Sequence, residues 1–234
     1  MIIAICGNIA CGKTTFSKQL CKHIGYAYVP QRRSELSFLK DFFQDVPRFF
    51  YSTQSSFILN KSIEINDIFQ ENENIVIDRS VFEDIHVFAK YWKDNYIIDK
   101  REVLLYDKLA DYILSQTASP DIYIVCKCDL AVIKERLDNR ELRDFESKYP
   151  VRYLENLDLI YKNLKFPSNR LVIEVNTEIF DFSNDDNFMC LINEINDIIA
   201  FNNDNHMHYN YKSRFKWCRV LSLSDYNLKL ITKM

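Results

Sequence analysis

Two of the three glycines in this chain fall in one eight-residue stretch, Gly7-Asn8-Ile9-Ala10-Cys11-Gly12-Lys13-Thr14, placed directly after the apolar run Met1–Cys6. A loop that wraps its backbone N–H groups around an anion needs glycine where the backbone must come close or turn to positive φ. The adjoining helical pattern, Thr14–Ile24, would aim the positive end of its dipole at the same anion. Lys13 would add a point charge on the β- and γ-phosphates, and the Thr14 hydroxyl is placed to hold Mg²⁺, with Thr15 next to it. This is the P-loop pattern, and it constrains the fold as much as the chemistry. It requires a buried strand, a tight turn and a helix in that order, with ATP as phosphate donor and Gly7 to Thr15 as its binding loop.

The chain has 234 residues, enough for one sizeable core. A net charge of −3 argues against a general nucleic-acid binder, which needs a basic surplus. Seven cysteines, an odd number, are scattered over apparent core strands rather than set in a framework, which predicts reduced thiols in a cytoplasmic setting. Cys126-Lys127-Cys128 reads as a pair of strand cysteines rather than half of a metal site, because no second pair is near. No signal peptide and no membrane span are expected.

Five short apolar runs recur between helical patterns: Ile2–Cys6, Tyr26–Val29, Ile75–Asp78, Ile122–Cys126 and Leu171–Val175. Helices are expected near Thr14–Ile24, Arg48–Ile68, Val81–Trp92, Glu102–Ser115, Leu130–Asn139, Val151–Asn163 and Phe188–Ala200. Strands alternating with helices predict an α/β domain over residues 1–200, with a five-stranded parallel sheet covered on both faces. Ligands of such sheets collect at the carboxyl ends of strands, where Gly7, Gln31 and Asp78 lie. Past Ala200 a polar, Asn-rich stretch reads as a linker, and the basic, aromatic segment Tyr209–Met234 reads as part of a terminal extension, 201–234, without strand-helix logic.

Asp78 ends the third run, a position from which a carboxylate can reach Mg²⁺ beside a P-loop. The residues after it are more particular: Asp78-Arg79-Ser80-Val81-Phe82-Glu83-Asp84, then Ile85-His86-Val87-Phe88-Ala89. With the loop form Gly-Asn-Ile-x-x-Gly-Lys-Thr-Thr, Gln54 in an aromatic segment and an Arg-rich helix after the fourth strand, the chain resembles the deoxyribonucleoside kinases from Met1 to about Ala200. The resemblance implies that Asp78 and Arg79 sit at the 5′-hydroxyl and metal, that Gln54 bonds the base edge and that Phe88 stacks on the base. It implies an Arg-rich lid carrying Arg136, Arg140 and Arg143, with Glu146 at the sugar 3′-hydroxyl, and a homodimer joined through helices that flank the site. Asp84 matches the purine and cytosine branches. A buried carboxylate beside an amide favours bases that present N–H donors, so deoxyadenosine, deoxyguanosine or deoxycytidine is expected over thymidine.

The chain departs from the family at two places. The family's general base is a Glu shortly after the second strand, and the spacing lands on Gln31, which cannot accept a proton. An alignment that matches Pro30 to the family's Pro lands on Val29, which is no better, and Asp78 or Glu35 are the remaining candidates for the base. Near the family's 3′-hydroxyl Tyr stands Phe43, which has no hydroxyl. Two other functions fit these residues. One is a nucleoside monophosphate kinase of the thymidylate type, with Arg32, Arg33 and Arg48 as cations for the substrate phosphate; the other is a nucleotide-binding regulator that does not turn over ATP.

Overall fold

The structure is a computed structural model, and it describes residues 1–31, 38–139, 151–205, 213 and 215–222. Its centre is β1 (Ile2–Gly7), every residue of which is buried. Such a strand has no polar face, so both faces must be covered, and helices on either side of a parallel sheet do that. The sheet runs β2 (Ala27–Val29), β3 (Ile75–Asp78), β1, β4 (Ile122–Lys127), β5 (Leu171–Asn176), β6 (Cys218–Ser222). The first five strands in that order are parallel. β6 is antiparallel to β5, with an irregular register between Val172 and Ile173.

The expected sheet of five parallel strands is therefore one strand short: among the described residues there are six, and the sixth runs the other way. Its residues show no strand pattern of their own. Pairing with the open edge of β5 makes them a strand, supported by the bond from Asn176 N–H to the Trp217 carbonyl (2.8 Å) and by Trp217 packed edge-on against Phe180.

The connecting helices are α1 (Lys13–Ile24), α2 (Leu39–Phe42), α3 (Val46–Glu71), α4 (Val81–Glu83), α5 (Lys90–Asn95), α6 (Lys100–Gln116), α7 (Leu130–Asp138), α8 (Val151–Asn163) and α9 (Asp185–Asn205). α3 starts where Asp45 accepts a hydrogen bond from the Arg48 N–H and proline occupies its first turn. The segment expected as one helix from Val81 to Trp92 instead contains a π-helical stretch, Asp84–Ala89, between α4 and α5. Such stretches are uncommon and cluster at functional sites. α9 continues through Asn205, across most of the stretch whose polarity suggested a linker. Among the described residues no helix is long and apolar enough to cross a membrane.

A chain ending at Asn205 would leave β5 as a bare edge and lose the Trp217–Phe180 contact. Its thermal midpoint is expected to fall by roughly 4–8 °C, as for a loss of about 2 kcal/mol in a domain of this size. A calorimetric scan with the midpoint unchanged would show that β6 adds nothing to stability.

Candidate active site

The parallel register pairs Ile5 of β1 with Asp78 of β3, so the two central strands end side by side. The chain then leaves β1 through a tight turn. Gly7 has φ +138°, and a Cβ there would lie 2.3 Å from the Cys126 carbonyl oxygen of β4. Gly12 caps α1 with φ +95°, where a Cβ would come within 2.9 Å of the Phe182 ring. Both glycines are therefore required by backbone shape and by close neighbours. Within the loop the Ile9 N–H donates to Asn8 Oδ1 (2.8 Å), and the Asn8 amide donates to the Leu154 carbonyl of α8 (3.0 Å). Lys13, nearly buried, donates to the Asn8 carbonyl (2.7 Å).

Across from the loop, Asp78 Oδ2 accepts from the Thr14 hydroxyl (2.6 Å) and from the Tyr28 hydroxyl (3.1 Å), while the buried Oδ1 has no hydrogen-bond partner. Burial and the Asp78 carboxylate push the Tyr28 hydroxyl pKa upward, so Tyr28 stays a donor. Arg79 comes next in left-handed conformation (φ +70°), with its N–H donating to the Ile5 carbonyl (3.0 Å). A non-glycine residue in that region costs about 1–3 kcal/mol and persists where surrounding structure enforces it. Its guanidinium is buried, stacks 3.7 Å above the Phe88 ring, and has Nε and Nη2 without hydrogen-bond partners. Burial opposes its charge, yet the Glu83 carboxylate, with Tyr161 and Asp84 behind it, outweighs burial and raises its pKa.

Two cavities meet here. One, of about 570 Å³, is lined by Gly12, Lys13, Thr14, Thr15, Asp78 and Arg136 among others. The second is largely apolar and lined by Phe42, Phe43, Phe57, Phe88, Trp92 and Tyr153, with Gln54, Arg79 and Asp84 as its polar groups. Ile9 and Gln31 line both. Arg136 reaches the phosphate-loop side from α7, held by the Thr177 hydroxyl (3.3 Å) and the Thr177 carbonyl (2.8 Å). Arg140, Arg143 and Glu146, expected in the lid, lie outside the described residues, as do Arg32, Arg33 and Glu35.

Several residues at the site escaped the sequence reading: Tyr28, Lys61, Glu83, Tyr161 and Thr177. Lys61 had a signal, being a lone charge between Ile58 and Ile65 on the buried face of α3. It donates to the Pro30 carbonyl (2.7 Å) and to the Asp78 carbonyl (3.1 Å), tying together the ends of β2 and β3 from which Gln31 and Asp78 emerge.

A strand-loop-helix cradle with a facing carboxylate at the end of the neighbouring strand defines a P-loop phosphotransferase. The sequence profile of the deoxynucleoside kinases matches residues 3–200, and the chain belongs to that family. Its activity is the ATP-dependent phosphorylation of a deoxynucleoside. Similar curated proteins include a deoxyadenosine/deoxycytidine kinase of Bacillus subtilis, 28% identical over 189 residues that span 80% of this chain and 87% of the relative. A deoxyguanosine kinase of Dictyostelium discoideum is 29% identical over 200 residues, 83% of this chain and 68% of the relative. Among solved structures, a deoxyadenosine kinase from M. mycoides with bound dATP superposes with a TM-score of 0.68 at 22% identity, covering 84% of this chain and all of the other.

Burial lowers the Lys61 pKa from its ordinary 10.5 to about 8, with Glu64, Asp78 and Asp84 opposing the shift. Between those values the unfolded chain holds a proton that the folded chain has released, so this group makes stability rise with pH. Relative to Lys61→Met, the wild type is expected to gain stability from pH 8 to about pH 10. Urea unfolding of both proteins at pH 7.5 and 9.5 measures the difference, and a wild-type stability minus variant stability that stays constant or falls with pH would contradict the assignment.

Proposed function

We propose that the apolar cavity holds the acceptor nucleoside and the P-loop cavity the triphosphate, with the reacting 5′-hydroxyl where the two meet. The observation that carries this reading is the junction itself: Ile9 and Gln31 line both cavities, with the bonded pair Thr14 and Asp78 in the P-loop cavity and Arg79, next in sequence to Asp78, in the apolar one. Phosphoryl transfer depends mostly on position and charge. The loop Gly7–Thr15, apart from the Gly7 and Ile9 N–H groups that Glu83 and Asn8 hold, supplies N–H donors, and Lys13 supplies a cation on the donor phosphates. Arg79 and Arg136 stand beside the path of the transferred group, with Arg140 and Arg143 assigned to the same task on the lid and Glu146 to the sugar. The unpartnered Nε and Nη2 of Arg79 support its role, because buried N–H donors of this kind want an oxygen.

The residues also suit Mg²⁺. Thr14 and Asp78 are both oxygen donors, they already touch, and Asp78 Oδ1 is buried without a partner. When bound, the ion would neutralise charge on the β- and γ-phosphate oxygens.

For the base, the reading is deoxyadenosine, deoxyguanosine or deoxycytidine rather than thymidine. Gln54 and Asp84, both buried, reach the same cavity, and Phe88 offers a ring face there. A thymine carbonyl facing the carboxylate would cost about 1–3 kcal/mol, a factor of roughly 5–150. Purified protein given ATP, Mg²⁺ and each of the four deoxynucleosides is expected to prefer one of the three. Thymidine turnover equal to theirs would overturn the assignment, and Asp84→Ala should narrow the gap.

At the position where the family's general base falls this chain has Gln31. Asp78 lines the triphosphate cavity that Gln31 also lines, which supports it as the carboxylate that takes the proton. Gln31→Glu should raise kcat by about tenfold or more, the low end of what a general base supplies. An unchanged rate would leave the proton to Asp78 or to another group such as Glu35. A monophosphate acceptor would draw on Arg32, Arg33 and Arg48; of these only Arg48 lies among the described residues, and it stacks near Phe49 and lines neither cavity.

A homodimer fits the surface. Leu59 and Ile63 of α3 and Leu104, Leu105 and Tyr112 of α6 are each about half exposed on two helices that pack together. Ile63→Glu is expected to convert the species seen by light scattering from dimer to monomer, and a wild type that is already monomeric removes the idea. The cytoplasm suits the chain, whose seven cysteines are all unpaired.

A further inference from the structure

Glu83 is completely buried, yet it has no ion-pair partner among the described residues. It completes a Ser-x-x-Glu pattern at the start of α4. In such a capping box the serine takes the N–H of the third helical residue and the glutamate returns the favour to the serine's N–H. Here only half of the box forms. The Glu83 N–H donates to Ser80 Oγ (3.2 Å), but the carboxylate turns away and its Oε1 accepts from the Gly7 N–H (2.9 Å).

That N–H is the first of the loop, and it comes where β3 no longer offers a partner, since the β1–β3 register ends at Ile5 and Asp78. The carboxylate thus stands in for the next residue of a strand that has stopped. Tyr161 of α8 closes the arrangement. Its hydroxyl donates to the Gly7 carbonyl (2.7 Å) and contacts Glu83 Oε1, so the backbone N–H and C=O of Gly7 are both held by side chains from distant elements. The second oxygen, Oε2, has no hydrogen-bond partner.

We propose that Glu83 is a positioning residue that sets the donor loop through the Gly7 N–H, and that Tyr161 of α8 fixes the same setting through the Gly7 carbonyl. Two side chains from elements remote in sequence then hold the backbone groups with which the triphosphate cradle begins. The proposal rests on the assignment of Gly7–Thr15 to ATP.

The two parts separate by substitution. Tyr161→Phe is nearly isosteric and removes only the hydroxyl, while Glu83→Gln keeps an acceptor for the Gly7 N–H and loses the charge. Tyr161→Phe is expected to raise KM for ATP, and its Kd by calorimetry, by about tenfold, the effect of losing one well-made buried hydrogen bond, with KM for the deoxynucleoside within about twofold of wild type. Glu83→Gln is expected to keep ATP affinity within about threefold, whereas Glu83→Ala should weaken it by about tenfold. ATP affinity close to that of wild type in both Tyr161→Phe and Glu83→Ala would overturn the proposal, as would equal rises in the two KM values, which would mean general loosening. A wild type that binds ATP but phosphorylates no deoxynucleoside would count against the acceptor assignment alone, because the affinity measurements do not depend on it.

Discussion

The register that pairs Ile5 with Asp78 places the ends of two buried parallel strands within one side chain's reach, and the chemistry of this protein depends on that juxtaposition. Because β1 lies between β3 and β4, the chain leaving it must turn at once, and the approach of Gly7 to the Cys126 carbonyl leaves no room for a side chain. The turn leads directly into α1, whose N-terminus adds its dipole at the mouth of the sheet. The Thr14–Asp78 hydrogen bond then closes the gap between loop and neighbouring strand. Had the strands been offset by a residue, Asp78 would point to the opposite face of the sheet, away from Thr14.

Around this centre the buried polar groups form a supporting framework. Lys61 ties the ends of β2 and β3 through their carbonyls, Glu83 and Tyr161 hold Gly7, and Thr177 links the Cys11 carbonyl (2.8 Å) to Arg136. Each is a polar side chain from an element remote in sequence, placed on a backbone group that regular secondary structure leaves unpaired. Such groups would cost about 1–3 kcal/mol each if buried alone. The framework therefore stabilises the loops that a binding site requires while keeping them in a single arrangement.

The strained and unpartnered groups gather at the same place. Arg79 is left-handed with two donors unused, Asp78 has an open oxygen, and the helix carrying Asp84 and Phe88 passes through a π-helical segment. Such features cluster at functional sites because stability given up there is recovered elsewhere, here in an extensive apolar core around β1.

Much of the fold was legible from residue patterns. The apolar runs at 2–6, 75–78, 122–126 and 171–175 are strands within a residue or so, and the spacing of Gly7, Gly12, Lys13 and Thr14 already carried the turn and the helix start. These are local signals: a buried parallel strand must be apolar throughout, and a phosphate loop must have glycine where φ is positive. What only the tertiary structure decided are the non-local pairings. β6 is a strand because β5 offers an open edge, and nothing within residues 218–222 announces it. Likewise Glu83 reads as half of a capping box until Gly7, which is 76 residues away, takes its carboxylate. A hydrogen bond between distant segments depends on which surfaces meet after the core has formed, and that information is spread over the whole chain rather than written beside the residues that make the bond.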